Sequence, residues 1–192
     1  MTYFKTLIIE SPAHGTHEVL YDAEDEDKIS KYNWCVLQAS AQPGKFYVFT
    51  MVPHPAGGWY HAPSGRQRRK TSLFLHQLIM ETPKGMVTDH INGDPLDNRK
   101  QNLRICTQAE NVRNRRAGKN NTSGFKGVSW HKRTNSWHAR IDHNKKPIHI
   151  GCFEDKEEAA RAYDRKAIEL HGEFAYTNFP IEDYANIALQ LL

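Results

Sequence analysis

The sequence predicts an α+β chain assembled from three small units rather than one large domain. Three observations carry this reading. The chain has 192 residues, of which 39% are apolar, and that suits several modest cores better than one large one. Strand and helix patterns come in short runs, as strand, loop, strand, helix over residues 86–116 and as three strands then a helix over 125–171. Charge is also segregated along the chain. Residues 1–64 carry four Lys/Arg against seven Asp/Glu, residues 65–154 eighteen against seven, and residues 155–192 four against eight. A polyanion meeting that basic middle would gain counterion-release free energy, so a nucleic acid is the expected partner.

Residues 1–68 read as a β-rich region with one helix. The acidic run Asp22 to Asp27 precedes Lys28-Ile29-Ser30-Lys31-Tyr32, and carboxylates favour the first turn of a short helix. Asn33 to Leu37 and Lys45 to Phe49 read as strands separated by the turn-forming Pro43-Gly44, and Pro53 to Gly58 as a loop. The cluster Arg66, Arg68, Arg69 and Lys70 leads into an apolar run, Ser72 to Met80, read as a strand that carries His76.

Met86 to Ile91 and Asn102 to Cys106 read as two further strands, separated by the turn signal Asn92-Gly93-Asp94-Pro95. Thr107-Gln108-Ala109-Glu110 has capping-box spacing and predicts a helix from Thr107 to about Arg116. Residues 117–123 form a polar linker. Phe125–Trp130, Ser136–Asp142 and Pro147–Phe153 then read as strands, with turns at Thr134-Asn135 and Asn144-Lys145. Asp155 caps a helix that runs to His171 and stops at Gly172, with Ala159, Ala160, Tyr163, Ala167 and Leu170 as its apolar stripe.

Some function classes are excluded or disfavoured. No run of about 18 apolar residues exists, so no membrane span is expected. The N-terminus lacks a signal-peptide layout, and the chain reads as soluble and cytoplasmic. Cys35, Cys106 and Cys152 form no CxxC pair, so buried reduced thiols are expected rather than a disulfide framework or a cysteine-based zinc site. The eleven histidines show no HxxxH spacing in a suitable context, which disfavours a His-rich zinc protein.

Residues 89–111 gather the groups that phosphodiester hydrolysis needs. A near-neutral imidazole can activate water, and a hard cation held by carboxylate and amide oxygens can stabilise the phosphate. Asp89-His90-Ile91-Asn92-Gly93-Asp94, Leu96-Asp97-Asn98-Arg99, Asn102-Leu103-Arg104 and Asn111 together resemble the HNH endonuclease family, in the H-N-N form of phage and homing enzymes. That resemblance implies a ββα-metal fold over residues 69–117. It implies Asp89 and Asn111 as metal ligands, His90 as general base, and Asn102 as the residue that fixes the loop and orients the imidazole. It also implies one Mg²⁺ or Mn²⁺ per site. Adjacent strand residues point to opposite sides, so Asp89 and His90 need a local bend to serve one phosphate. His76 is expected to be structural or to contact phosphate, and Asp94 and Asp97 to serve the turn. Arg99, Arg104, Arg113, Arg115 and Arg116 are phosphate-contact candidates.

Residues 123–180 resemble the AP2/ERF domain. The matching pieces are Gly124-Phe125-Lys126-Gly127-Val128, Trp137-His138-Ala139-Arg140-Ile141, His149-Ile150-Gly151-Cys152-Phe153, Glu157 to Asp164, and Asn178-Phe179-Pro180. The resemblance implies a three-stranded antiparallel sheet, packed on one helix, that reads the DNA major groove. Lys126, Ser129, Trp130, Lys132, Arg133, Trp137, Arg140 and His149 are the expected contacts, with Trp130 and Trp137 alternatively core residues. Asn178-Phe179-Pro180 is expected to pin the C-terminal segment. The first loop departs from the plant pattern, so no target sequence carries over. Two readings remain open. One is a site-specific nicking or homing-type endonuclease acting on double-stranded DNA as a monomer or weak homodimer. The other is a DNA-binding regulator with an inactive HNH unit, which the filled catalytic positions oppose.

Overall fold

The computed structural model describes residues 3–40, 43–114, 117–118, 120–144 and 146–185. It is a mixed α/β chain, rich in β structure, with several small sheets and few helices. The chain divides into two compact units, Met1–Thr107 and Gln108–Leu192. Among the described residues no helix is long and apolar enough to cross a membrane.

The first unit opens with the hairpin β1 (Phe4–Ser11) and β2 (Gly15–Asp22), in antiparallel register from Phe4↔Asp22 to Ser11↔Gly15. A 3-10 turn, Ala23–Asp25, and the short helix α1 (Glu26–Ile29) follow where the acidic run predicts a helix start. Next come β3 (Cys35–Gln38), β4 (Phe46–Pro53), the hairpin β5 (Trp59–Ala62) and β6 (Gly65–Arg68), then β7 (Lys70–Phe74). Strands β3, β4 and β7 form one antiparallel sheet in that order, and β5–β6 stands apart as a two-stranded ribbon between β4 and β7 in sequence. Helix α2 (Leu75–Met80) then leads to the antiparallel pair β8 (Val87–His90) and β9 (Leu103–Cys106).

His76 therefore lies on a helix, not on the strand expected for it. The reason is periodicity: Leu75, His76 and Ile79 are all buried, a spacing that gathers on one side of a helix, whereas a strand would turn His76 away from the face shared by Leu75 and Ile79. Glu81, in the left-handed conformation at φ 49°, ends that helix. One core runs through the unit. Ile9, Val19, Tyr21, Ile29, Val36, Val48, Leu75, Ile79 and Leu103 pack as one cluster, so residues on both sides of position 68 share it. At about 25 cal/mol per Å² of apolar area removed from water, each such side chain contributes about 1.5–3 kcal/mol.

The second unit holds α3 (Gln108–Arg113), β10 (Val128–His131), β11 (Ser136–His143), β12 (Lys146–Phe153) and α4 (Lys156–His171). The three strands form an antiparallel sheet in chain order, and the turns between them use Asn135 and Asn144 at φ 49° and 51°. Strand β10 begins three residues later than the expected Phe125, because Gly124 and Gly127 take φ values of 83° and 75° that a strand does not adopt. Gly127 has a packing reason as well. A Cβ there would lie 2.1 Å from the Tyr163 ring and 2.7 Å from the Arg140 carbonyl oxygen.

Helix α4 starts and stops where its sequence signals place it. The Asp155 carboxylate accepts from the N–H groups of Glu157 and Glu158, both at 2.8 Å, and Gly172 at φ 54° follows the last turn. Its Ala159, Ala160, Tyr163 and Ala167 lie against Val128, Ala139 and Ile141 of the sheet. Register along β11 and β12 shifts once. Ala139 pairs with Gly151 but Arg140 pairs with His149, so Ile150 is an extra residue and the strand bulges there. The buried Asp164 carboxylate accepts from the Asn178 backbone N–H (2.8 Å) and Nδ2 (2.9 Å), the Phe179 N–H (3.0 Å) and the Tyr184 hydroxyl (2.8 Å). The segment expected to pin the C-terminal region does so through this carboxylate. Of the three cysteines, only Cys106 is buried; Cys35 and Cys152 are exposed, contrary to the expectation of buried thiols.

Candidate functional site

The site of the first unit is a loop, residues 91–102, hung between β8 and β9 and braced from several directions. The Ile91 N–H donates to the Asn102 carbonyl (2.8 Å) and the Gly93 N–H to the His90 carbonyl (2.8 Å), which turns the chain sharply after His90. Within the loop, Asn92 Oδ1 accepts from the Asp94 N–H at 2.7 Å and Asp94 Oδ1 from the Leu96 N–H at 3.0 Å, the local turns expected of Asn and Asp. Strand β2 grips the far side, with Leu20 N–H to Leu96 O at 2.9 Å and Asn98 N–H to Leu20 O at 2.8 Å. The Asp22 carboxylate takes the Lys100 N–H at 2.7 Å, and Lys45 Nζ reaches the Gly93 carbonyl at 2.7 Å.

Asn102 is 7% exposed and spans this loop. Its Oδ1 accepts from the Asn92 N–H at 3.0 Å and its Nδ2 donates to the Asp97 carbonyl at 2.8 Å. The side chain against the imidazole is a different one, Asn98, which the sequence reading did not single out. Its Oδ1 lies 3.2 Å from His90 Nε2, while its Nδ2 donates to the Pro95 carbonyl at 3.1 Å. The second bond fixes which end of the amide faces His90. An amide oxygen there can only accept, so Nε2 carries the proton and Nδ1 keeps the lone pair.

His90 is buried, and burial pushes its pKa below the ordinary imidazole value. The Asn98 hydrogen bond and the negative charges of Asp89, Asp94 and Asp97 oppose that shift. His76 meets His90 edge-on at 5.0 Å and stacks on Phe74 at 5.6 Å. Burial, with His90 beside it, pushes His76 down to about 3, so it is neutral near pH 7 and serves as a wall. Asp89 is buried next to His90 in sequence but has a different neighbour. Arg104, directly opposite on β9, reaches Asp89 Oδ2 through Nε at 3.1 Å and Nη2 at 2.8 Å.

The arginines read as phosphate contacts fare unequally. Arg99 forks onto Asp97, Nε to Oδ1 and Nη2 to Oδ2 at 2.7 Å each, and its guanidinium lies 5.4 Å from the Phe4 ring. Arg104 is held by Asp89. Arg113 ends α3 in the second unit, as Asn111 sits within it. Arg115 and Arg116 lie outside the described residues.

In the second unit, Arg113, Lys126, Ser129, His131, Arg140 and His149 line one groove. Burial brings Lys126 down to about 8, and its ammonium stands 5.0 Å over the Tyr176 ring. Ser129, His138 and Arg140 alternate with the residues that α4 covers, so they share the open face of the sheet. Lys132 and Arg133 are exposed in the β10–β11 turn. Trp137 does not share the open face. It packs onto the core under α4, and Trp130, 40% exposed, meets it edge-on at 5.1 Å.

Comparison with known proteins shows what the chain is similar to. The family profile described as HNH endonuclease matches residues 76–113, from the helix that carries His76 to the end of α3. Protein 3.8 of Escherichia phage T7 is 40% identical over 93 residues, which span 48% of this chain and 76% of that protein. An uncharacterized HNH endonuclease, L560, of Acanthamoeba polyphaga mimivirus is 30% identical over 152 residues, 78% of this chain and 68% of that protein. APETALA2-like protein 2 of Oryza sativa is 36% identical over 77 residues, but these span 40% of this chain and only 18% of the plant protein. Sequence relatives thus include both HNH endonucleases and AP2-like proteins. HNH nucleases generally use a divalent metal ion.

Proposed function

The chain belongs to the HNH endonuclease family, and from that premise we propose a metal-dependent DNA endonuclease of nicking or homing type whose second unit recognises the target. In this reading β8, the loop, β9 and α3 make the ββα-metal unit of residues 69–117, and the sheet with α4 makes the AP2/ERF-like domain of residues 123–180. Residues 1–68 support the loop and the core beneath it. The observation that carries the reading is the buried contact between His90 Nε2 and Asn98 Oδ1. It leaves Nδ1 of a neutral imidazole as the base.

The family resemblance assigns the metal to Asp89 and Asn111. Asp89 offers a carboxylate and Asn111 an amide oxygen, the ligand types that Mg²⁺ and Mn²⁺ prefer. When bound, such an ion would supply charge neutralisation at the phosphate and the leaving oxygen. The chain's own groups do the rest. His90 Nδ1 accepts the proton of the attacking water. Asn98 holds the imidazole in the tautomer that can do so, and Asn102 keeps the loop at the length that brings both together. Arg104 positions the Asp89 carboxylate, and Arg113 with Lys126 and Arg140 bears on the DNA backbone. Arg99 acts through Asp97 on the loop. Lys132 and Arg133 extend the contact at the strand turn, and Trp130 and Trp137 support the sheet from beneath. A monomer or weak homodimer carries one such centre per chain, so an isolated copy nicks.

Supercoiled plasmid bearing the target, incubated with Mg²⁺ or Mn²⁺, tests this. Wild type converts it to the relaxed form, and His90→Ala slows the conversion by about 10²–10⁴-fold, the usual worth of a positioned base. Wild-type binding without cleavage under either ion would instead support a DNA-binding regulator.

A further inference from the structure

Among the described residues, a second set of metal-binding side chains lies wholly within the second unit. His138, His149 and Cys152 place one ligand atom each within 4.8 Å of one another. Cys152 Sγ is 3.2 Å from His138 Nε2 and 3.5 Å from His149 Nε2. A tetrahedral zinc ion with Zn–S of about 2.3 Å and Zn–N of about 2.0–2.1 Å would separate sulfur from nitrogen by about 3.6 Å. The two observed distances are already those of such an edge, so only small side-chain adjustments separate this arrangement from a coordination sphere. We infer that His138, His149 and Cys152 form a three-ligand zinc site on the open face of the β10–β11–β12 sheet, with the fourth position left to solvent or an exogenous ligand.

Topology explains how the three residues meet. His138 and Cys152 are cross-strand partners, so they share a face. His149 is three residues from Cys152, and in a regular strand residues three apart face opposite ways. The extra residue at Ile150 reverses that parity and returns His149 to the face of Cys152, where it pairs with Arg140. The bulge thus assembles a ligand set that no local spacing announces. The cysteine makes the ligand set soft, which selects against Mg²⁺ and Ca²⁺ and for zinc. His131 stacks on His138 at 4.4 Å and holds the plane of its ring; Thr134 Oγ1, 3.0 Å from the same Nε2, gives up that contact when the nitrogen binds the ion. His149 and Cys152 are exposed and His138 is half-buried, so an ion reaches all three from solvent without unfolding the sheet.

The test uses the full chain, reduced and stripped of metal, titrated with Co²⁺ and then Zn²⁺. Tetrahedral cobalt bound through a thiolate gives a sulfur-to-metal charge-transfer absorption that the oxygen ligands proposed for the nuclease loop cannot produce. The expected result is one equivalent of this signal, erased by one equivalent of zinc. Cys152→Ser should abolish it and weaken zinc binding by at least about 100-fold, the upper end of the loss when only an outer-shell partner of a metal ligand is removed. His149→Ala should weaken binding comparably, while Cys35→Ser should leave the signal intact. Circular dichroism of the variants would show that the sheet is retained. Absence of the charge-transfer signal in wild type, or its persistence in folded Cys152→Ser, would overturn the assignment without touching the nuclease reading.

Discussion

Asn98 offers the sharpest perturbation of the proposed chemistry, because it touches the base without being able to touch the substrate's proton itself. Asn98 is fully buried, with Oδ1 3.2 Å from His90 Nε2 and Nδ2 3.1 Å from the Pro95 carbonyl. Asn98→Leu keeps the volume and removes both contacts. The stability cost is about 1–3 kcal/mol for each buried partner left unmatched, which urea unfolding measures. The catalytic cost is separate: losing the group that orients a functional imidazole lowers rate by about 10–100-fold. His90→Ala should lose more than that under the same conditions. Asn98→Asp distinguishes orientation from charge. A carboxylate beside Nε2 still accepts the hydrogen bond but favours the imidazolium, raising the His90 pKa and moving the acid limb of the pH–rate profile to higher pH. Plasmid-nicking rates from pH 5 to 9 read both effects. Folded Asn98→Leu with wild-type rates, or Asn98→Asp with an unshifted profile, would refute the assignment of Nδ1 as the base.

Three further outcomes follow from the packing. His76, held at about 3 against an ordinary value of about 6.5 in the unfolded chain, binds fewer protons when folded between those values; stability therefore falls as pH drops below about 6.5, by about 1.4 kcal/mol per pH unit and roughly 2 kcal/mol by pH 5. His76→Phe should remove that part of the slope in urea unfolding at pH 7 and 5, and an unchanged slope would mean that His76 is not the group titrating. Gly127→Ala must place a methyl against the Tyr163 ring and the Arg140 carbonyl at a positive φ, so a loss of more than about 3 kcal/mol is expected in thermal unfolding; wild-type stability would show that the turn rearranges freely. Asp164→Ala strands the Asn178 and Phe179 N–H groups and the Tyr184 hydroxyl, for a loss on the order of 3–5 kcal/mol, and limited proteolysis should then cut near residues 172–185 before anywhere else in the second unit.

The features legible in the sequence were those set by neighbours in the chain. The Asp155 cap and the Gly172 stop of α4 follow from side chains within one turn, and β8 and β9 follow from short apolar runs between turn formers. The role expected of Asn102, fixing the loop and orienting the imidazole, came from a family resemblance; its two hydrogen bonds run within the loop, and the side chain against the imidazole is Asn98. What escaped depended on residues distant in sequence. The role of Asn98 depends on an imidazole eight positions away across a turn, and four other Asn or Asp side chains in the same loop were equally plausible partners. The position of His76 on a helix depends on Leu75 and Ile79 finding a core supplied by β2, β3 and β4. The cluster of His138, His149 and Cys152 depends on one bulge, which no residue pattern announces. Trp137 looked available to DNA until pairing put it on the covered face.

The common core beneath the loop bears on how this protein can be engineered. The stretch matched by the family profile, residues 76–113, contributes Ile79 and Leu103 to the buried cluster, with Met80 and Leu96 packed against it, and the other buried members come from earlier strands and helices. Cut out by itself, it would turn those side chains toward water and lose the β2 backbone that holds Leu96 and Asn98. The proposed catalytic residues, so arranged, are not a portable cassette: a chimera that borrows them needs the support of residues 1–75 as well.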